Sequence, residues 1–172
     1  MKKALFIILA IICFVSPFFS WIPSIVQSVQ FSANCGNYLE LSADANSIHI
    51  AEKQLTKAVD YLEQNNLTSG HTKIFVYYPK NDVGMWYENL KSAQTQLREM
   101  LEREEIAELE ESNMLMKLRE TILDDDGNLT HPQGISLHPN YTVMFWLNAT
   151  LWLLWILGGM FCYLAYEESY GW

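Results

Sequence analysis

Cysteine and basic residues are scarce in this 172-residue chain, and the common catalytic motifs are missing. Each shortage removes a class of function. The three cysteines, at positions 13, 35 and 162, form no CxxC pair. Only Cys35 lies outside two strongly apolar ends, so an internal disulfide framework is excluded and a buried, inert thiol is expected there. Eleven Lys and Arg stand against twenty Asp and Glu, a net charge of −9. Nine of those basic and eighteen of those acidic residues fall between positions 23 and 142, so the middle carries the entire net charge. Such a surface repels nucleic-acid phosphates and anionic headgroups, and it suits cationic partners or a divalent cation. Nucleic-acid binding is thereby set aside.

Catalytic signatures are missing too. The chain has no GxSxG, no HExxH, no Walker A loop and no GxGxxG. Its four histidines, His49, His71, His131 and His138, lack metal-ligand spacing with one another or with cysteine. The expectation is a non-enzymatic protein without a cofactor. An envelope enzyme assembled from scattered residues is the alternative that this reasoning leaves standing.

What the chain does have is length without charge. Lys2 and Lys3 precede an uncharged run over residues 4–22. Nineteen residues at about 1.5 Å each give about 28 Å, enough for a hydrocarbon core of about 30 Å. A cleaved signal peptide begins the same way, but this run exceeds the usual apolar region and no A-x-A follows it, so retention is expected. A second uncharged run covers residues 143–166. Trp146 near its start and Tyr163, Tyr166, Tyr170 and Trp172 near its end suit the two interfaces of a bilayer. Within it, Gly158 and Gly159 permit close helix approach, and Asn148 is a polar group that seeks a partner in lipid. The lysines at the N-terminus favour a cytoplasmic start. The middle is then extracytoplasmic, and a short tail, 167–172, returns to the cytoplasm.

Helical periodicity organises the middle. Ile48, Ala51, Leu55, Ala58, Val59 and Leu62 recur at threes and fours, giving a first helix near 44–65 capped by Ser42 or Asp44. Residues 23–41 show no clean period and read as a junction. Residues 72–79, rich in β-branched and aromatic side chains and ended by Pro79, read as one short extended segment, irregular or paired with a second copy. Asn81 or Asp82 caps a second helix near 82–123. Its apolar phase slips after Leu101, so a bend or break is expected in 102–113, with Ser112 as a cap. The glutamate-rich stretch 102–111 reads as a solvated face or hinge.

The expected fold is therefore an all-α membrane protein: two transmembrane helices flanking an extracytoplasmic helical hairpin with one short extended segment. Two stripes make a thin core, which argues for a homo-oligomer or a membrane-protein partner. Phe75, Tyr77, Tyr78, Trp86 and Tyr87 are the candidate partner-binding set, although filling the end of the thin core is the use such rings more often serve. Asp124, Asp126 and Asn128 alternate like the first ligands of a calcium loop, but Leu129 and Ile135 stand where its glycine and bidentate glutamate belong. An EF-hand is rejected, and a looser cation site or a solvated turn remains.

Four N-x-T triplets, at Asn66, Asn128, Asn140 and Asn148, are glycan acceptors only in a eukaryotic secretory route. The Met-Lys-Lys start with a compact anchor points instead to a bacterial inner membrane. The leading functional expectation is a protein that binds partners or scaffolds an envelope complex. A ligand-sensing subunit without its own signalling domain is the runner-up.

Overall fold

The computed structural model describes residues 2–103 and 105–170, with backbone alone for 2, 3, 17–20, 141 and 168–170. Glu104 in the expected bend, and Gly171 and Trp172 of the expected tail, lie outside the described residues. So do the side chains of Lys2, Lys3 and Tyr170.

The described residues are helical, with no strand beyond two isolated bridges, His71 to Asp82 and Leu123 to Leu129. The order is α1 (Lys2–Phe31), a π-turn (Ser32–Gly36), α2 (Asn37–Ala43), α3 (Ile48–Gln64), α4 (Val83–Leu101), α5 (Glu108–Ile122) and α6 (Tyr141–Tyr170), with single 3₁₀ turns at Pro79–Asn81 and Ile135–Leu137. The chain divides into two compact units. One comprises residues 1–26 and 140–172, and the other Gln27–Pro139.

In the first unit, α1 and α6 are each long and apolar enough to cross a membrane. At about 1.5 Å per residue, 30 residues make each about 45 Å long. Pro23 does not end α1, contrary to the expected boundary at 22, and the expected tail from 167 is helical as far as Tyr170. Large apolar side chains such as Ile8, Ile12, Trp21, Trp152, Leu153 and Ile156 face outward. Where the two helices meet, the contacts are close. Phe14 packs edge-on against Trp155 with ring centres 5.7 Å apart, and the Trp155 indole donates to the Phe14 carbonyl at 3.1 Å.

The second unit is not a two-stripe hairpin. Residues 23–41, read as an aperiodic junction, are helical, and Phe31, Cys35, Leu39 and Ala43 are buried in the core. Those residues recur every four positions. On an α-helix of 3.6 residues per turn, each step of four overshoots by about 40°. The wider π-turn over Ser32–Gly36 takes more residues per turn and offsets part of that drift, so the stripe stays on one side. Buried Cys35 sits in this turn, with its thiol 4.0 Å from the Ala58 carbonyl.

The core is assembled by α2 on α3, α3 on α4, and α5 closing against α2. α3 begins at Ile48, not at 44, because Ser47 is the cap: its Oγ accepts from the Ile50 N–H. Ser42, expected as a cap, is buried and donates to the Ala51 carbonyl at 2.8 Å. Asp44, the other expected cap, ends α2 and pairs with Arg119 of α5. At the other end of α3, Asn66 adopts φ 57° and the Leu67 N–H returns to the Leu62 carbonyl at 2.8 Å. This is a Schellman ending with asparagine in the left-handed position, and it turns Leu67 into the core.

Asp82 caps α4 by accepting from the Met85 N–H at 3.0 Å. α4 ends at Leu101, and α5 starts at Glu108 without a side-chain cap. Ser112 lies inside α5, not at its start. The acidic stretch is more than a solvated face. Glu111 reaches across to accept from the Ile48 N–H of α3 at 3.1 Å, where a negative group satisfies an orphan donor and favours the helix dipole.

Candidate functional site

The five candidate aromatics part company in the structure. Trp86 is 8% exposed, and its indole N–H donates to the Thr130 carbonyl at 2.8 Å, tying α4 to the loop after α5. Tyr87 is half-buried and donates to Glu63 at 2.7 Å. These two serve the fold. Phe75, Tyr77 and Tyr78 are 73%, 65% and 61% exposed, so the expectation that the whole set fills the core is wrong for them. The reason is local. Thr72 donates to the Asn81 carbonyl at 3.0 Å and Val83 to the Gly70 carbonyl at 2.9 Å. The pinned base holds residues 73–80 outside the helix packing. The extended segment expected at 72–79 forms no strand; it is the irregular tip of this loop.

A second surface feature lies between α4 and α5. Two adjoining hollows of about 440 and 310 Å³ share Gln96, Met114 and Lys117 in their walls. Ala93, Met100, Met114 and Leu118 give them an apolar floor, and Lys117 donates to Gln96 across the gap at 2.8 Å. Methionine suits such a surface because its flexible thioether adapts to whatever lies on it.

One edge of the α3–α4 seam carries a polar cluster. The Thr56 hydroxyl donates to Glu52 at 2.8 Å while accepting from Gln94 at 2.7 Å and from Arg98 at 3.0 Å. Arg98 also donates to Glu52 at 2.8 Å. Burial would raise the Glu52 carboxyl, but the bonds from Arg98 and Thr56 outweigh it and hold the group below the usual carboxylate range. Glu63 is likewise held low, first by its bond from Lys91 and then by that from Tyr87. Burial, then the bond to Glu63, pushes Tyr87 up to about 12. Burial alone pushes the Cys35 thiol up to about 12, which leaves it protonated and unreactive. No sequence period announces the polar seam, since its members come from two helices in unrelated registers.

Of the residues assigned to helix packing in the apolar ends, Gly158 faces α1: a Cβ there would lie 3.0 Å from that of Cys13. A Cβ on Gly159 would meet nothing within 4 Å. Asn148 donates to the Met144 carbonyl of its own helix at 2.9 Å. The aspartate turn is organised by its own backbone. Asp124 Oδ1 accepts from the N–H groups of Asp126 at 3.1 Å and Asn128 at 2.7 Å, and Gly127 turns the chain at φ 80°. Among the described residues, no group of three or more His, Cys, Asp or Glu side chains is gathered for a metal ion. The chain matches no protein-family model, no curated protein and no solved structure.

Proposed function

We propose that this chain is a two-span protein of the bacterial inner membrane. Its acidic helical unit binds partner proteins on the extracytoplasmic side and scaffolds an envelope complex, without catalysis of its own. One observation carries the reading: a folded unit with its own core, bearing almost all of the chain's charge, is joined at both ends to helices with apolar outward surfaces. Apolar surface of that extent is stable in lipid and costly in water. The hollows between α4 and α5, with an adaptable methionine floor and a charged rim, are the surface where a partner would dock.

Lys2 and Lys3 set the orientation by favouring the cytoplasm. In intact cells, a membrane-impermeant thiol reagent should label Asn66→Cys and leave Ser169→Cys untouched until the membrane is opened. The reverse pattern would overturn the orientation. A photo-crosslinking side chain in place of Ser92, in the wall of the larger hollow, should give a discrete adduct in native membranes. Recovery of the uncrosslinked chain alone would count against the binding role.

A further inference from the structure

We propose that the aromatic loop tip, residues 75–78, seats in the headgroup region of the bilayer and forms a third attachment of the chain to lipid. This rests on reading α1 and α6 as membrane spans. Four consecutive apolar or aromatic side chains, Phe75, Val76, Tyr77 and Tyr78, are all exposed, although the unit has a core of its own. They are held outward. The two backbone bonds at the loop base fix its neck, and the His71 ring sits edge-on to Tyr77 with centres 4.7 Å apart.

Chain connectivity then limits where this loop can be. Gly70, at its neck, lies so close to His138 that a Cβ there would be 2.8 Å from the imidazole Cε1. The apolar span begins at Thr142, four residues beyond His138. Four residues reach at most about 14 Å, and the tip itself projects three or four residues from Thr72. The neck is therefore tethered within one short stretch of the membrane entry, and the tip can reach a headgroup layer several ångströms deep.

Charge points the same way. Between His71 and Asn81 the chain carries Lys73 and Lys80 and no carboxylate, within a protein of net charge −9. The rest of the surface repels anionic headgroups, whereas this loop attracts them. Tyrosine, with an apolar ring and a polar hydroxyl, is a residue of the membrane interface. A second copy or a soluble protein partner would explain the exposed rings, but not their tether to the chain's membrane entry together with a local excess of lysine.

The test uses the full chain carrying Cys13→Ala and Cys162→Ala, with Cys35 left buried. An environment-sensitive fluorophore is placed singly at Val76→Cys, at Glu99→Cys near the far end of α4, or at Leu153→Cys in α6. The chains are reconstituted in phosphatidylcholine vesicles with and without phosphatidylglycerol. The label at 76 should be quenched by a shallow lipid-borne quencher and be several-fold less sensitive to aqueous iodide than the label at 99. In the anionic vesicles, Lys73→Glu with Lys80→Glu should weaken that lipid quenching. Iodide quenching at 76 equal to that at 99 would overturn the proposal, and so would protection of 76 from both quenchers, the mark of a protein occupant. The label at 153 separates the two claims: quenching there by a second quencher deep in the acyl chains, with no shallow quenching at 76, refutes the loop alone, whereas no quenching at 153 by the deep quencher refutes the membrane reading beneath it.

Discussion

Leu39 decides between a helical hairpin and a core built from four helical segments. It lies in α2 and is 1% exposed, whereas Leu41, two residues on, is 55% exposed. Leu39→Ala removes three carbon groups, worth about 2.4 kcal/mol at roughly 0.8 kcal/mol each. The cavity left behind adds to this and brings the cost to about 3 kcal/mol, within the range of about 2–5 seen for buried leucines. Leu41→Ala empties solvent-facing space and should cost less than about 0.5 kcal/mol. At about 4 °C per kcal/mol for a unit of this size, the difference is a drop in Tm of about 12 °C against about 2 °C. Far-UV circular dichroism of the full chain in mild detergent reads it, because apolar helices stay folded in detergent and the thermal transition reports the remaining unit. If Leu39→Ala unfolded as late as Leu41→Ala, α2 would contribute nothing to the core and the four-segment packing would be wrong.

Two further expectations follow from the polar groups. Glu52 and Glu63 hold their carboxyls below the usual range in the fold, so the unfolded chain binds protons more tightly. Their stabilisation is present above an unfolded carboxyl value of about 4.3 and is lost as pH falls through the folded values. As pH falls below about 5, denaturation should be shallower in Glu52→Gln with Glu63→Gln than in the parent, and an unchanged slope would show that these pairs contribute nothing. At the aspartate turn, calcium at about 100 times a dissociation constant would add about 2.7 kcal/mol if an ion were held. Because Asp124 Oδ1 already accepts two backbone N–H groups, no shift in Tm is expected, and a rise abolished by Asp126→Ala would refute this.

The periodic parts of the chain were legible because burial in a helix repeats every three or four residues. Ile48, Ala51, Leu55, Ala58, Val59 and Leu62 are all buried in α3, and the phase slip after Leu101 marks the break before α5. Residues 27–43 were not legible. Their spacing of four fits neither an even α-helical face nor a strand, and it lines up only once a π-turn rewinds it. The aromatic loop was half legible. Sequence picked out the rings as a set, but a ring that fills a core and a ring that faces outward carry the same composition, and only the pinned neck separates Trp86 from Phe75, Tyr77 and Tyr78.

The argument for a second copy also changes. It rested on a core of two stripes, and the observed core adds a third from Phe31, Cys35, Leu39 and Ala43 and a fourth from Met114, Leu118 and Ile122. Gly158, expected to permit close helix approach, does so towards Cys13 of the same chain.

By itself, then, the sequence determined the two apolar helices, the helical character and charge of the middle, and the face that α3 buries, because these depend on residue type and short-range spacing alone. Tertiary structure decided which segments share the core, that Ser47 and not Ser42 or Asp44 caps α3, that Glu111 serves a helix sixty-three residues away, and which aromatics face outward. Those outcomes turn on contacts between residues distant in the chain. Local propensity cannot rank such pairings, and the free energy of burial can be counted only once the segments have met.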